Sequence, residues 1–220
     1  AGSSQIGGNI GTNAGGIKVI RYGMTRNWVA GLKVVTGTGE LLELNKDLTK
    51  NATGYDLRQL FIGAEGTLGF VVEATMKLDR APRNLTAMVL GTPDFDSIMP
   101  VLHAFQDKVD LTAFEFFSDK AMAKIMARGD VPAPFETDCA FYALLEFEGL
   151  NEDVANEALA TFEHCVEQGW VLDGVMSQSE QQLQNLWKLR EFISETISHW
   201  TPYKNDISVT VGKVPGFLHD

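Results

Sequence analysis

The chain has 220 residues, 45% of them hydrophobic and 10% aromatic, which is apolar material for one large domain or two modest ones and excludes a disordered chain. Eighteen Lys and Arg against 29 Asp and Glu leave a net charge of -11. That balance argues against nucleic acid as a partner, because nothing neutralises phosphates in bulk, and against an anionic membrane surface.

Two cysteines, Cys139 and Cys165, without a second pair or neighbouring histidines, encode neither a disulfide framework nor a zinc site. They read as buried thiols in a reducing compartment. No apolar run has the length of a membrane span, and the opening AGSSQ lacks the basic and apolar regions of a secretory leader. The expected location is cytoplasmic, and the start of the chain is abrupt.

In chain order, 6-IGGNIGTNAGG-16 comes first, crowded with Gly, Asn and Thr and free of charge. Residues 28–44 read as strand, Gly-rich turn and strand, a hairpin turning at GTG. A short helix is expected around Leu57, Leu60 and Phe61, followed by GAEGTLG and a strand at FVVEATMKL. The glycine-dense region ends near residues 80–83. Beyond it, strand-like and helix-like segments alternate: LTAMVLG, DSIMPVLHAF, LTAFEFF, DKAMAKIMA, CAFYALLEFEG, a helix at about 151–168 and WVLDGV. A long helix through Trp200 and a strand at 203-YKNDISVTV-211 complete the series. No internal repeat is visible, and this second region reads as helices layered on one sheet.

The opening glycines allow three readings. A dinucleotide loop needs GxGxxG after a strand and before a helix, and Gly8, Gly11, Gly15 and Gly16 follow only AGSSQ, so that reading fails. Tight turns and nothing more is the second. The third is a backbone cradle whose N–H groups converge on a phosphate or flat ring, with Asn9, Thr12 and Asn13 adding neutral hydrogen bonds. Periodicity does not choose between the last two.

Projected at about 100° per residue, residues 181–200 place Leu183, Leu186, Trp187, Ile193 and Ile197 on one stripe, with Gln184, Lys188, Glu191 and Glu195 opposite. Arg190 falls inside the apolar stripe with Ser194 beside it. A guanidinium directed at a core needs a carboxylate, either from the protein, Glu115 or Glu146 for instance, or from a ligand. In the strand expected at 203–211, Ile207, Val209, Val211 and Tyr203 share one face. Lys204, Asp206, Ser208 and Thr210 share the other, which pattern alone reads as a solvated face. His103 and His164 sit on amphipathic helices, and His199 and His219 have no metal spacing. Asp56 and Glu65 suit loop or helix capping, Met122 and Met126 look like core filler, and no Ser-His-Asp or Cys-His arrangement is visible.

The string IGGNIGTNAGG, followed by IRYG and then by 50-KNATGYDLRQLFIGAEGTLG-69, closely resembles the FAD-linked oxidases of the vanillyl-alcohol oxidase type. Within them it is most similar to the D-2-hydroxyacid dehydrogenase branch, which includes D-2-hydroxyglutarate and D-lactate dehydrogenases and the glycolate oxidase catalytic subunit. The resemblance continues through 114-FEFFS-118, 186-LWKLRE-191 and 203-YKNDISVTV-211, and so spans the chain.

It implies an α+β chain. Residues 1–80 would be the second half of the FAD-binding domain, and residues 84–220 a cap whose mainly antiparallel sheet is covered by helices. Non-covalent FAD would lie against Ile6, Gly7, Gly8, Asn9, Thr12, Asn13, Gly15, Gly16, Glu65, Gly66, Gly69 and Val71. Arg190 and Lys204 would bind the carboxylate of a 2-hydroxy acid with help from Ser194, which stands where the branch carries a threonine. Asn205 replaces a bulkier residue. An electron acceptor is expected but not identified, and a homodimer is left open. The branch uses a divalent metal, usually zinc, with histidine ligands that would lie beyond residue 220, as the earlier FAD-binding half would precede residue 1. The chain therefore reads as an internal piece of a longer enzyme. The alternative is a scaffold module or subunit that binds FAD only jointly with a partner.

Overall fold

The structure, a computed structural model, describes residues 4–45, 48–149 and 151–219. It comprises two units, Ala1–Ala81 and Pro82–Asp220.

In the first unit, helices α1 (Ile6–Gly11) and α2 (Val19–Tyr22) and a 3-10 turn (Thr25–Asn27) precede strands β1 (Val29–Thr36) and β2 (Leu41–Leu44). Helix α3 (Arg58–Phe61) and strand β3 (Gly69–Met76) follow. The β1–β2 hairpin expected from the sequence is present, and β3 adds to its other side, giving an antiparallel sheet of order β2-β1-β3. Alternation along the strands sends Leu32 and Val34 of β1 and Val71 of β3 to one face, where Ile10, Val29 and Ile62 complete a small core.

Helix α1 takes up Ile6–Gly11, the first part of the stretch that the sequence left open between tight turns and a backbone cradle. Three glycines in six residues is poor helix composition, so local propensity does not explain it. Tertiary contacts do: the Ile10 side chain is fully buried in that core. The carbonyls of Ile10 and Gly11 accept from the backbone N–H groups of Gly63 and Glu65, each at 2.9 Å.

The second unit runs β4 (Leu85–Thr92), α4 (Ile98–Gln106), β5 (Leu111–Ser118), α5 (Asp119–Met126), β6 (Phe141–Glu148), α6 (Glu152–Glu167), β7 (Asp173–Met176) and α7 (Glu180–Thr196). The sheet order is β5-β6-β4-β7, antiparallel throughout, so β4-α4-β5 and β6-α6-β7 are two split βαβ units of ferredoxin-like topology. Helices α4 and α6 cover one face through Val101, Phe105, Ala158 and Cys165, packed on Met88, Leu90, Leu145 and Phe147. The other face carries Val89, Ala113 and Leu144 beneath Met122 and Ile125 of α5 and Leu186, Trp187 and Leu189 of α7. The sheet is thus covered on both sides, more fully than one layer of helices would do. Side-chain oxygens of Ser118, Asn151 and Ser179 cap α5, α6 and α7 by accepting the N–H three residues on.

One expected strand is not formed. Residues 201–210 have no regular structure, and the apolar face assigned to a strand there is open to solvent, with Tyr203 99% and Ile207 59% exposed. Alternating sequence supplies only side-chain sorting; a strand also needs ladder hydrogen bonds, and this segment pairs with none of the described strands. The segment continues through a 3-10 turn (Val211–Lys213) into α8 (Val214–His219), whose Val214 packs beside the α4 and α6 core.

Candidate functional site

Two constellations emerge, one in each unit. In the first, Gly7, Gly8 and Asn9 lie within α1, Thr12 and Asn13 close it, and Gly15 and Gly16 lead to α2. The Ile10–Gly63 and Gly11–Glu65 backbone bonds tie this block to the GAEGTLG turn. Arg26 draws the two blocks together further. Its backbone N–H donates to Asn13 Oδ1 at 3.0 Å, Nη2 to the Ile62 carbonyl at 3.1 Å and Nη1 to Gln59 Oε1 at 2.7 Å. The sequence reading did not single out Arg26, and nothing in its spacing set it apart from the neighbouring Lys18 and Arg21.

The shape of this surface is set by backbone conformation. Asn13 and Glu65 occupy the left-handed region at φ of 49° and 50°, where a side chain other than glycine is strained and commonly marks a functional turn. A Cβ on Gly7, Gly8, Gly11, Gly16 or Gly66 would meet nothing within 4 Å. Gly69 differs: a Cβ there would stand 2.7 Å from Val34 Cγ1 and 2.9 Å from the Val35 carbonyl, so that glycine serves strand packing. The Val71 side chain packs in the core, opposite Val34. Ile6 and Glu65 are exposed, and Asn9 is half-buried, its Oδ1 accepting from Ser4 Oγ at 2.9 Å. An open, glycine-lined face with neutral side-chain donors fits a flavin dinucleotide, whose pyrophosphate and ring need close backbone approach and few bulky groups.

In the second unit, α7 carries the polar constellation. Leu186, Trp187 and Leu189 are its buried residues, Leu189 extending the expected stripe by about 40° at 100° per residue. Arg190 lies in that arc but toward the C-terminal end, where the core thins, and its side chain is 35% exposed. Its Nε donates to Glu115 Oε2 on β5 at 2.8 Å. Four residues on, Ser194 Oγ accepts from Lys204 Nζ at 2.7 Å, so the irregular segment delivers Lys204 to the same helix face. Glu146 does not meet Arg190. It is 2% exposed and accepts from Trp187 Nε1 at 2.8 Å and from the Thr112 hydroxyl.

The remaining side chains take bland positions. His103 and His164 are exposed on α4 and α6, and the His219 ring contacts Asp96. Arg58 donates to the Val29 carbonyl and to Asp56, and the hydrogen bond that Asp56 accepts from Arg58 brings its carboxyl down to about 2. Cys139 and Cys165 are free, buried thiols, both pushed up by desolvation. Among the described residues, no three His, Cys, Asp or Glu side chains are grouped to hold a metal ion.

Comparison with known proteins places this architecture. The family described as "FAD linked oxidases, C-terminal domain" matches residues 81–220, and "FAD binding domain" matches residues 1–45. The chain belongs to the FAD-linked oxidases.

Relatives within that family are D-2-hydroxyglutarate dehydrogenases. The chain is 88% identical over 220 residues to that of Stutzerimonas stutzeri (strain A1501), covering all of this chain and 47% of the relative. It is 55% identical to that of Xanthomonas citri pv. viticola, over 99% of this chain and 46% of the relative. The mitochondrial D-2-hydroxyglutarate dehydrogenase of Danio rerio is 36% identical, over 100% of this chain and 42% of that one. The chain thus spans about half the length of the curated relatives it matches. Solved structures share the fold of this FAD-linked oxidase. Alkyldihydroxyacetonephosphate synthase aligns with a TM-score of 0.59 at 21% identity, over 83% of this chain and 35% of that one. Substrate-bound p-cresol methylhydroxylase aligns at 0.55 and 12% identity, over 80% and 40%.

Proposed function

We propose that this chain is part of a flavin-dependent D-2-hydroxyacid dehydrogenase acting on D-2-hydroxyglutarate or a related acid, with residues 1–80 completing an FAD-binding domain and residues 84–220 forming the substrate cap. The observation that carries the reading is the convergence of Arg190, Ser194 and Lys204 on one face of α7. Two cations around a hydroxyl suit the carboxylate of a 2-hydroxy acid, since a guanidinium presents a planar fork and an ammonium a second point charge. Fixing that carboxylate fixes C2 with it, which is the positioning a hydride transfer requires.

FAD, when bound, supplies at N5 the acceptor for the hydride leaving C2. The residues of this chain that would hold it are Ile6, Gly7, Gly8, Asn9, Thr12, Asn13, Gly15 and Gly16 with Glu65, Gly66, Gly69 and Val71, through backbone N–H groups and neutral side chains. A divalent metal such as zinc would acidify the substrate hydroxyl. The described residues offer no grouped ligands for it.

The test is a titration of the full-length protein with D-2-hydroxy acids while the oxidised flavin absorbance is followed. D-2-hydroxyglutarate should bleach it, and Arg190→Ala should raise KM by about tenfold or more and lower kcat/KM in proportion. A protein without flavin after reconstitution would overturn the assignment. Unchanged kinetics in Arg190→Ala would leave that residue as the partner of Glu115 alone. The Arg190–Glu115 pair is also what favours the second reading, a cap and scaffold module in which Arg190 is structural. Under that reading, mixing this chain with the remainder of the protein restores no turnover of a D-2-hydroxy acid, even where it restores flavin binding.

A further inference from the structure

We infer that Glu115 is a positioning residue for the substrate carboxylate, holding the Arg190 guanidinium by its inner edge so that its outer fork faces the ligand. This inference rests on the substrate role proposed for Arg190.

The geometry is specific about which nitrogen is used. Glu115 Oε2 accepts from Nε at 2.8 Å. Among the described residues, Nη1 and Nη2 of Arg190 make no hydrogen bond within the protein. A guanidinium carries five N–H donors in a rigid plane, so a single bond at Nε sets the plane while leaving the paired terminal donors for a bidentate carboxylate.

Glu115 is well placed for this work. It lies on β5 opposite Leu144, between Ala113 and Phe117, which are buried on the same face of the sheet. Its side chain is 19% exposed, so few rotamers are open to it. From the helix side, Trp187 lies one turn before Arg190 and is itself anchored by its Nε1–H to Glu146. Both ends of the Arg190 contact are therefore attached to rigid elements.

Charge alone gives no reason for Glu115. A carboxylate beside an anion-binding arginine cancels one of the two cations and weakens long-range attraction for the substrate. As a stabilising ion pair it also adds little, because the arginine is more than a third open to water. Orientation is what remains.

Orientation and charge separate in two variants of the full-length enzyme. Glu115→Gln removes the charge but keeps an oxygen at the same reach. Glu115→Asp keeps the charge but draws the acceptor back by one methylene, tilting the fork. With D-2-hydroxyglutarate, Glu115→Gln should keep KM within about twofold of the parent, while Glu115→Asp should raise it about tenfold with kcat changed less than about threefold. Parent-like KM in both variants, or a raised KM in Glu115→Gln with a parent-like Glu115→Asp, would overturn the inference. So would equal impairment of both. Arg190→Ala is measured beside them. If its KM is unchanged, the substrate reading fails and Glu115 falls with it. If its KM rises while neither Glu115 variant behaves as expected, only the positioning role fails.

Discussion

Lys204 Nζ donates to Ser194 Oγ across 2.7 Å, fastening a segment without regular structure to the last turns of α7. Arg190 lies four residues before Ser194, about 6 Å along the helix axis. The bond therefore brings the second cation beside the first. If Ser194 works by holding Lys204, the two side chains act as one unit. Lys204→Met should then raise KM for D-2-hydroxyglutarate about tenfold, Ser194→Ala less, and the double variant no more than Lys204→Met alone. Additive effects in steady-state kinetics of the full-length enzyme would show that the two residues contact substrate independently.

Two glycines of the first unit should separate flavin binding from folding. Gly8 is in α1 with open space where a Cβ would point, and Ala is the better helix former by about 1 kcal/mol. Gly8→Ala should therefore leave the melting temperature of the apoprotein unchanged or raised, yet lower its flavin content. Gly69→Ala should instead lower the melting temperature. Its Cβ would press on Val34 and on the Val35 carbonyl, backbone that cannot step aside without opening the β1–β3 pairing. Thermal unfolding and the protein-to-flavin absorbance ratio of the two variants check both expectations.

Much of this architecture was legible because hydrophobic period and burial agree. The β1–β2 hairpin, β3, and the alternation from β4 to α7 each bury the face their spacing selects, and the antiparallel sheet under helices follows from them. What was not legible depended on partners far away in sequence. Helix α1 exists because Ile10 finds a core and Gly63 and Glu65 supply donors, none of which composition can weigh against three glycines. Residues 203–211 alternate as a strand does but have no ladder among the described elements. On α7, the projection put Arg190 and Ser194 side by side, and it named Glu115 and Glu146 as equal partners. Only the register of β5 against β6 shows that Glu115 is the one within reach, while Glu146 lies under Trp187.

Glu146 is a buried carboxylate whose removal should be costly to folding. It accepts from Trp187 Nε1 and from Thr112, and both donors are themselves buried. Glu146→Ala takes the acceptor from both and opens a void beneath α7, an expected loss of about 2–5 kcal/mol. Glu146→Gln keeps the Trp187 bond through its amide oxygen and should lose less. Urea denaturation, read as a shift in midpoint at constant slope, distinguishes these outcomes; equal midpoints for Glu146→Ala and the parent would mean that the buried bonds contribute nothing net.

Cys165 should be chemically silent at neutral pH and weigh on stability only in alkali. It is fully buried in the core shared with α4, and desolvation of the thiolate lifts its pKa from the ordinary 9.0 to about 11. Alkylation needs the thiolate, so at pH 8 the native protein should show no iodoacetamide adduct on the Cys165 peptide by mass spectrometry, whereas the urea-unfolded protein is labelled within minutes. The sign of the linkage follows from the raised value. The folded state favours the neutral thiol, so its contribution is whole below about pH 9 and is lost as pH rises toward about 11. Cys165→Ala removes that dependence, so above pH 9 the melting temperature of the variant should fall less steeply with pH than that of the parent. An unaltered slope would place the alkaline loss of stability on other groups.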